Sequence, residues 1–93
     1  MVEIKDLSHK DLIALTIFLG TCAVRSICEK LNELGIEVSE GTVRARLSEM
    51  LREGTVHPIN QPHSNAYYLT TSGEDHVVDV TARLTDSQLS TMV

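Results

Sequence analysis

Tryptophan is absent from this 93-residue chain, phenylalanine occurs once and tyrosine twice. The core must therefore be aliphatic, drawn from the 42% of residues that are hydrophobic. Bases are scarce: eight Lys and Arg stand against thirteen Asp and Glu, for a net charge of −5 with histidine neutral. That balance excludes a broadly basic surface, so any contact with a polyanion must be local. The two cysteines, Cys22 and Cys28, are too few for a disulfide framework. Six residues apart on one helix, they would point about 240° away from each other. Reduced thiols in a cytoplasmic protein are expected. No apolar run reaches the ~20 residues that span a bilayer. "LIALTIFLGTC" (12–22) ends in small residues and a cysteine, as an export signal does. Glu3, Asp6 and Asp11 against Lys5 and Lys10 are the wrong charge for a leader, however. The run reads as a buried helix, with no membrane partner. Also missing are a glycine-rich phosphate loop, a carboxylate pair beside a histidine, and a nucleophile with an evident base. Neither an enzyme nor a cofactor is expected.

What is present suffices for one domain over residues 1–93, of a size that buries roughly 60–65% of its unfolded surface. Leu7-Ser8-His9-Lys10-Asp11-Leu12 opens the first helix, with Ser8 as N-cap, Asp11 completing a capping box and Leu7 and Leu12 as a hydrophobic staple. The apolar run that follows marks a central helix, stopped at Gly20. Residues 22–34 form a second helix with Val24, Ile27, Cys28, Leu31 and Leu34 on one stripe, ending at Gly35. The third covers about 39–53, capped by Ser39, with Val43, Leu47, Met50 and Leu51 inward and Gly54 as its stop. The period then alternates. "TVHPIN" (55–60) and "AYYLTT" (66–71) predict a hairpin whose first strand, holding Pro58, lies at an edge. "TTSGEDHVVDVTARL" offers two overlapping caps, Thr71 with Glu74 and Ser72 with Asp75, and then Val77, Val80 and Leu84 on one face of a fourth helix. Residues 85–93 either extend that helix or form a tail.

Helix, helix, helix, hairpin, helix is the element order of a winged helix-turn-helix, and particular residues strengthen the likeness. "GTVRARLSEMLREGTV" resembles the recognition helix of winged-helix regulators, including the Gly54-Thr55-Val56 passage into the wing. "AYYLTTSGEDH" resembles the second wing strand with the Leu-Thr-x-x-Gly turn of PadR-like and MarR-like transcription regulators. "LNELGIEVSEGTV" resembles the PadR type in its longer link between helices two and three. The likeness spans about residues 8–84. It implies a mainly α fold with a small β-hairpin (α+β): a three-helix core, a two-stranded wing and a C-terminal helix. It further implies double-stranded DNA as partner, with helix 39–53 in the major groove and wing 55–71 on the backbone or minor groove.

A turn of about 100° per residue along the third helix places Gly41, Ala45, Ser48, Glu49 and Arg52 outward, with Arg44 and Arg46 on opposite flanks. Small residues on the crest let a backbone sit deep in a groove, and guanidinium groups beside it reach guanine edges or phosphate. Ser39 and Thr42, at the helix start, are placed for phosphate with the free amides there. The same arginines alternate with Glu40, Glu49 and Glu53, which equally describes a solvated face of helical ion pairs. By segment, net charge is −2 over residues 1–38, zero over 39–66 and −3 over 67–93, so the acidity lies mostly outside the proposed surface.

His57 and His63 bracket the hairpin turn and are candidates for phosphate contact. As a metal site they lack a third ligand, and no metal is expected. His9 and His76 read as first-turn surface residues. Cys22, near a helix start, leaves a redox role open, whereas Cys28 belongs to the core. One of Tyr67 and Tyr68 should face out. Val78, Leu89 and Met92 have no evident use within the domain and are assigned to a homodimer interface. The function expected is a small DNA-binding transcription regulator, a repressor acting as a homodimer. The alternative is a winged-helix protein-interaction module whose acidic surface meets a protein partner without touching DNA.

Overall fold

The computed structural model describes residues 3–59 and 65–92. Its elements are α1 (His9–Phe18), α2 (Val24–Glu33), α3 (Glu40–Glu53), β1 (Val56–Pro58), β2 (Tyr67–Leu69), α4 (Thr71–Thr81) and α5 (Asp86–Met92). The expected order is borne out.

α1 is the centre, because it has no polar face to offer solvent. Every residue from Leu12 to Ile17 is buried, and the helix packs against α2, α3, α4 and β2. Thr16, the polar member of that run, donates its hydroxyl to the Leu12 carbonyl at 2.7 Å, removing the cost of an unpaired buried group. Ser8 caps the helix by accepting the Asp11 amide. Asp11 itself does not complete the capping box: its carboxylate pairs with His76 of α4. His76 is therefore more than a surface residue. It joins α4 to α1 across 65 residues of chain.

β1 and β2 pair antiparallel, with Val56 opposite Leu69 and His57 opposite Tyr68. Alternation puts Val56 in the core and His57 and Tyr68 outside, while Tyr67 packs on the core. The far edge of β2 is also used. Ala66 bridges Ala23, the Tyr67 amide donates to the Cys22 carbonyl at 3.1 Å, and the Val24 amide donates to the Asn65 carbonyl at 2.7 Å. Cys22 thus lies ahead of α2 in an extended segment, not within the helix. α2 starts at Val24 behind Ala23, which provides no side-chain cap.

α4 begins one residue before the expected caps. Thr70 is the N-cap, its hydroxyl oxygen accepting the Gly73 amide at 3.2 Å while its proton goes to the Gly54 carbonyl at 2.6 Å. One side chain thereby starts α4 and fastens it to the end of α3. Val77 and Val80 are buried as expected, but α4 ends at Thr81. The chain then opens a separate helix, α5. Thr85 and Gln88 form a reciprocal capping box, the Thr85 amide donating to Gln88 Oε1 at 2.8 Å and the Gln88 amide to Thr85 Oγ1 at 3.2 Å. Met92 at the end of α5 is 2% exposed, and Leu89 packs partly against the core. This corrects the expectation that both lack a use within the domain. Gln88→Ala should remove one arm of that box and cost about 1 kcal/mol. Hydrogen exchange should show faster exchange confined to α5.

Candidate nucleic-acid interface

The start, stop and tilt of α3 are each fixed by named contacts. Ser39, in extended conformation, accepts the Thr42 amide at 3.1 Å, and its Oγ lies 3.1 Å from Thr42 Oγ1. Gly54 ends the helix at φ +82°, a left-handed value that costs other residues roughly 1–2 kcal/mol. Behind the helix, the Asn32 side-chain amide donates to the carbonyls of Cys28 at 2.8 Å and Val38 at 3.0 Å. Asn32 therefore anchors the link between α2 and α3. Val43, Leu47 and Met50 are buried beneath the helix.

α3 exposes Glu40 at its start, Glu53 at its end and one stripe between them. Gly41, Arg44, Ala45, Ser48 and Arg52 are all exposed, at spacings of three, one, three and four residues that share one helical face. Leu51 departs from expectation: at 38% exposure it borders this face and is not buried. Thr42 is half-buried at the first turn and Ser39 exposed just before it.

The two flanking arginines differ. Arg44 is exposed and donates from Nη2 to Asn65 Oδ1 at 3.2 Å. The same Asn65 receives the Val24 amide on its backbone carbonyl, so the edge of the hairpin, the start of α2 and the middle of α3 meet at one asparagine. Arg46 is not the free arm expected. Its Nε lies 2.6 Å from Glu49 Oε2, and both atoms are shielded from solvent. Glu49, expected to face outward, is half-buried and also lies 3.5 Å from Lys10 Nζ, which in turn reaches Glu53 Oε2 at 2.9 Å. A chain of alternating charge, Arg46–Glu49–Lys10–Glu53, thus ties α3 to α1.

The hydrogen bond to Glu53 is the main reason the Lys10 ammonium titrates above the ordinary lysine value of 10.5; desolvation opposes it, and the charges of Glu49 and Glu53 add to it. A folded value above the unfolded one means that this contribution is complete below about pH 10.5 and is lost as pH rises through the raised value. A 13C titration of the Lys10 ε-carbon should give a midpoint above that of an unfolded-chain lysine.

Arg52 has no ion pair among the described residues, so Arg44 and Arg52 are the guanidinium groups presented on the stripe. On the hairpin, His57 and Tyr68 form an exposed cross-strand pair with ring centroids 5.9 Å apart. His63 lies outside the described residues. No group of three or more His, Cys, Asp or Glu able to hold a metal occurs among the described residues. No helix among them is long and apolar enough to cross a membrane. Asn65 and Lys10 organise this surface, yet nothing in the sequence singles them out. Their partners lie 21 and 43 residues away, so no local spacing marks them.

No family model matches the chain, and no curated protein does. Among solved structures, the complex structure of hsRosR-S1 is similar, with 25% identity and a TM-score of 0.69 over 91% of this chain and 83% of that one. The fold is a winged helix-turn-helix. The likeness supports a DNA-binding regulator in general terms. In that architecture α3 is the third helix of the core and β1–β2 form the hairpin.

Proposed function

We propose that this winged-helix protein, which resembles PadR-like and MarR-like regulators, binds particular double-stranded DNA sequences as a cytoplasmic transcriptional repressor. α3 lies in the major groove and the wing on the backbone or minor groove. The observation that carries the reading is the uncovered stripe of Gly41, Ala45 and Ser48 with Arg44 and Arg52 beside it. A crest without large side chains permits close approach to base edges. Arg44, held at the wing by Asn65, can reach a guanine edge or a phosphate. Ser39, Thr42 and the first amides of α3 suit a phosphate, and His57 is placed on the wing for another.

Few bases on this surface mean few phosphate contacts, hence weak non-specific binding and a shallow salt dependence. A homodimer compensates by placing two α3 helices about 34 Å apart on a palindromic site. Val78 of α4, 60% exposed, is the residue assigned to that contact, together with half-buried Leu89 of α5. Met92 is withdrawn from it, being core.

One observation favours a protein-binding role instead. Glu49 and Glu53 neutralise Lys10 and Arg46, while Glu74, Asp75 and Asp79 of α4 are exposed to a basic partner. Selection from a pool of random duplexes separates the two. Enrichment of a site with two half-sites about one helical turn apart is the expected result, with sedimentation showing two chains per site. A pool that stays random after repeated rounds would favour the protein-binding role.

A further inference from the structure

Between the start of α1, the last turns of α3 and the first turns of α4 lies a cavity of about 280 Å³. Its floor is apolar, made by the side chains of Ala14 and Met50, each at most 3% exposed. One wall is the backbone of Gly73. At the rim stand Lys10 with Glu53, and Asp11 with His76. Each pair is closed by its own hydrogen bond at the opening, so neither is free to take up an incoming charged group without giving up its present partner.

The geometry points to a binding site for a small, uncharged, planar apolar molecule of one or two fused rings bearing a single hydrogen-bonding group. Size sets the ring count. A dry cavity of about 150 Å³ accepts one benzene ring, whereas ligand pockets for larger, drug-sized molecules begin near 300 Å³. The lining sets the polarity: a charged ligand would have to break a rim pair to find a counter-ion, and an apolar ring meets Ala14 and the Met50 thioether, which packs well on aromatic faces. Two hydroxyls border the space and retain capacity. Ser8 Oγ accepts the Asp11 amide and keeps its proton to donate. Thr55 Oγ1 donates to the Met50 carbonyl at 3.1 Å and keeps its lone pairs to accept. A ring O–H complements both, accepting from Ser8 and donating to Thr55, and a ring N–H complements Thr55 alone.

This site does not rest on the DNA-binding reading, and its test needs no DNA. Indole serves as the probe, titrated into the 15N- and methyl-labelled full chain. Saturable shifts at Ala14, Met50, Thr55, Gly73 and His76 are expected, with contacts between indole protons and the Met50 methyl in a nuclear Overhauser spectrum. The melting temperature should rise by roughly 6–11 °C at tenfold excess over the dissociation constant. Ala14→Ile, which fills the floor, should abolish the shifts while keeping a dispersed amide spectrum. Should that variant fail to fold, the Overhauser contacts in the unaltered chain decide alone. Absence of saturation up to the solubility of indole would overturn the proposal. So would shifts confined to the other apolar hollow, between Phe18 and Tyr68.

Discussion

Gly73→Ala is expected to destabilise the domain by about 3 kcal/mol or more, a large part of the ~5–15 kcal/mol that holds a small domain together. A Cβ at this position would stand 2.1 Å from the Thr55 carbonyl oxygen and 3.1 Å from a Leu69 methyl carbon. The first obstacle is backbone. It cannot step aside as a side chain can, because the same Thr55 carbonyl accepts the Thr70 amide at 3.0 Å and Thr70 is tied to Gly54. The start of α4 and the passage from α3 into the wing are therefore packed backbone to backbone. Equilibrium urea unfolding of the variant measures the loss. Gly41→Ala is the control: its Cβ would meet only Ser39 Oγ, at an ordinary 3.7 Å, and alanine's helix propensity should add up to about 1 kcal/mol. If both variants unfolded alike, the close approach at Gly73 would be refuted.

Replacing Arg44 and Arg52 together by alanine is expected to weaken binding to the selected duplex by roughly 100-fold or more, since each guanidinium bond to a base or phosphate is worth about 1–3 kcal/mol. If either arginine meets phosphate, the slope of log K against log salt should also fall by about 0.9. Arg46→Ala should change affinity no more than about threefold, because Arg46 is committed to Glu49 and is not among the guanidinium groups presented on the stripe. Titration by fluorescence anisotropy at two salt concentrations reads both. The contrast matters more than either value. A purely electrostatic surface would respond to all three arginines equally.

Much of this architecture is readable from residue order, and the failures have physical causes. The central position of α1 follows from an apolar run with no polar face, and the limits of α3 from Ser39 and Gly54. The Leu-Thr-x-x-Gly turn stands out in the sequence as a resemblance; its reason is spatial, Thr70 capping α4 and Gly73 lying on Thr55. Residue order offers Thr71 and Ser72 as caps because three hydroxyl residues stand in a row, and only the Thr70 bond to the Gly54 carbonyl chooses among them. The Ala23–Ala66 bridge involves a single residue on each side and has no periodicity to detect. α5 is marked by Thr85 and Gln88 at capping-box spacing, but seven residues are too few for an apolar stripe to show that Met92 turns inward. On the candidate surface, the exposed crest is legible from helical period alone. The fate of the arginines is not: the Arg46–Glu49 spacing allows an ion pair without choosing between it and a free arm. Lys10, from a distant helix, completes the charge chain that occupies Glu49.

The central claim is that the Gly41–Arg52 stripe is the surface that meets DNA. Amide shift mapping of the 15N-labelled chain on addition of the selected duplex tests it most directly. The account predicts the largest changes at Gly41, Arg44, Ala45, Ser48 and Arg52, with a second group at His57 and Asn65. Changes centred on Glu74, Asp75 and Asp79 of α4, with the stripe unmoved, would contradict it.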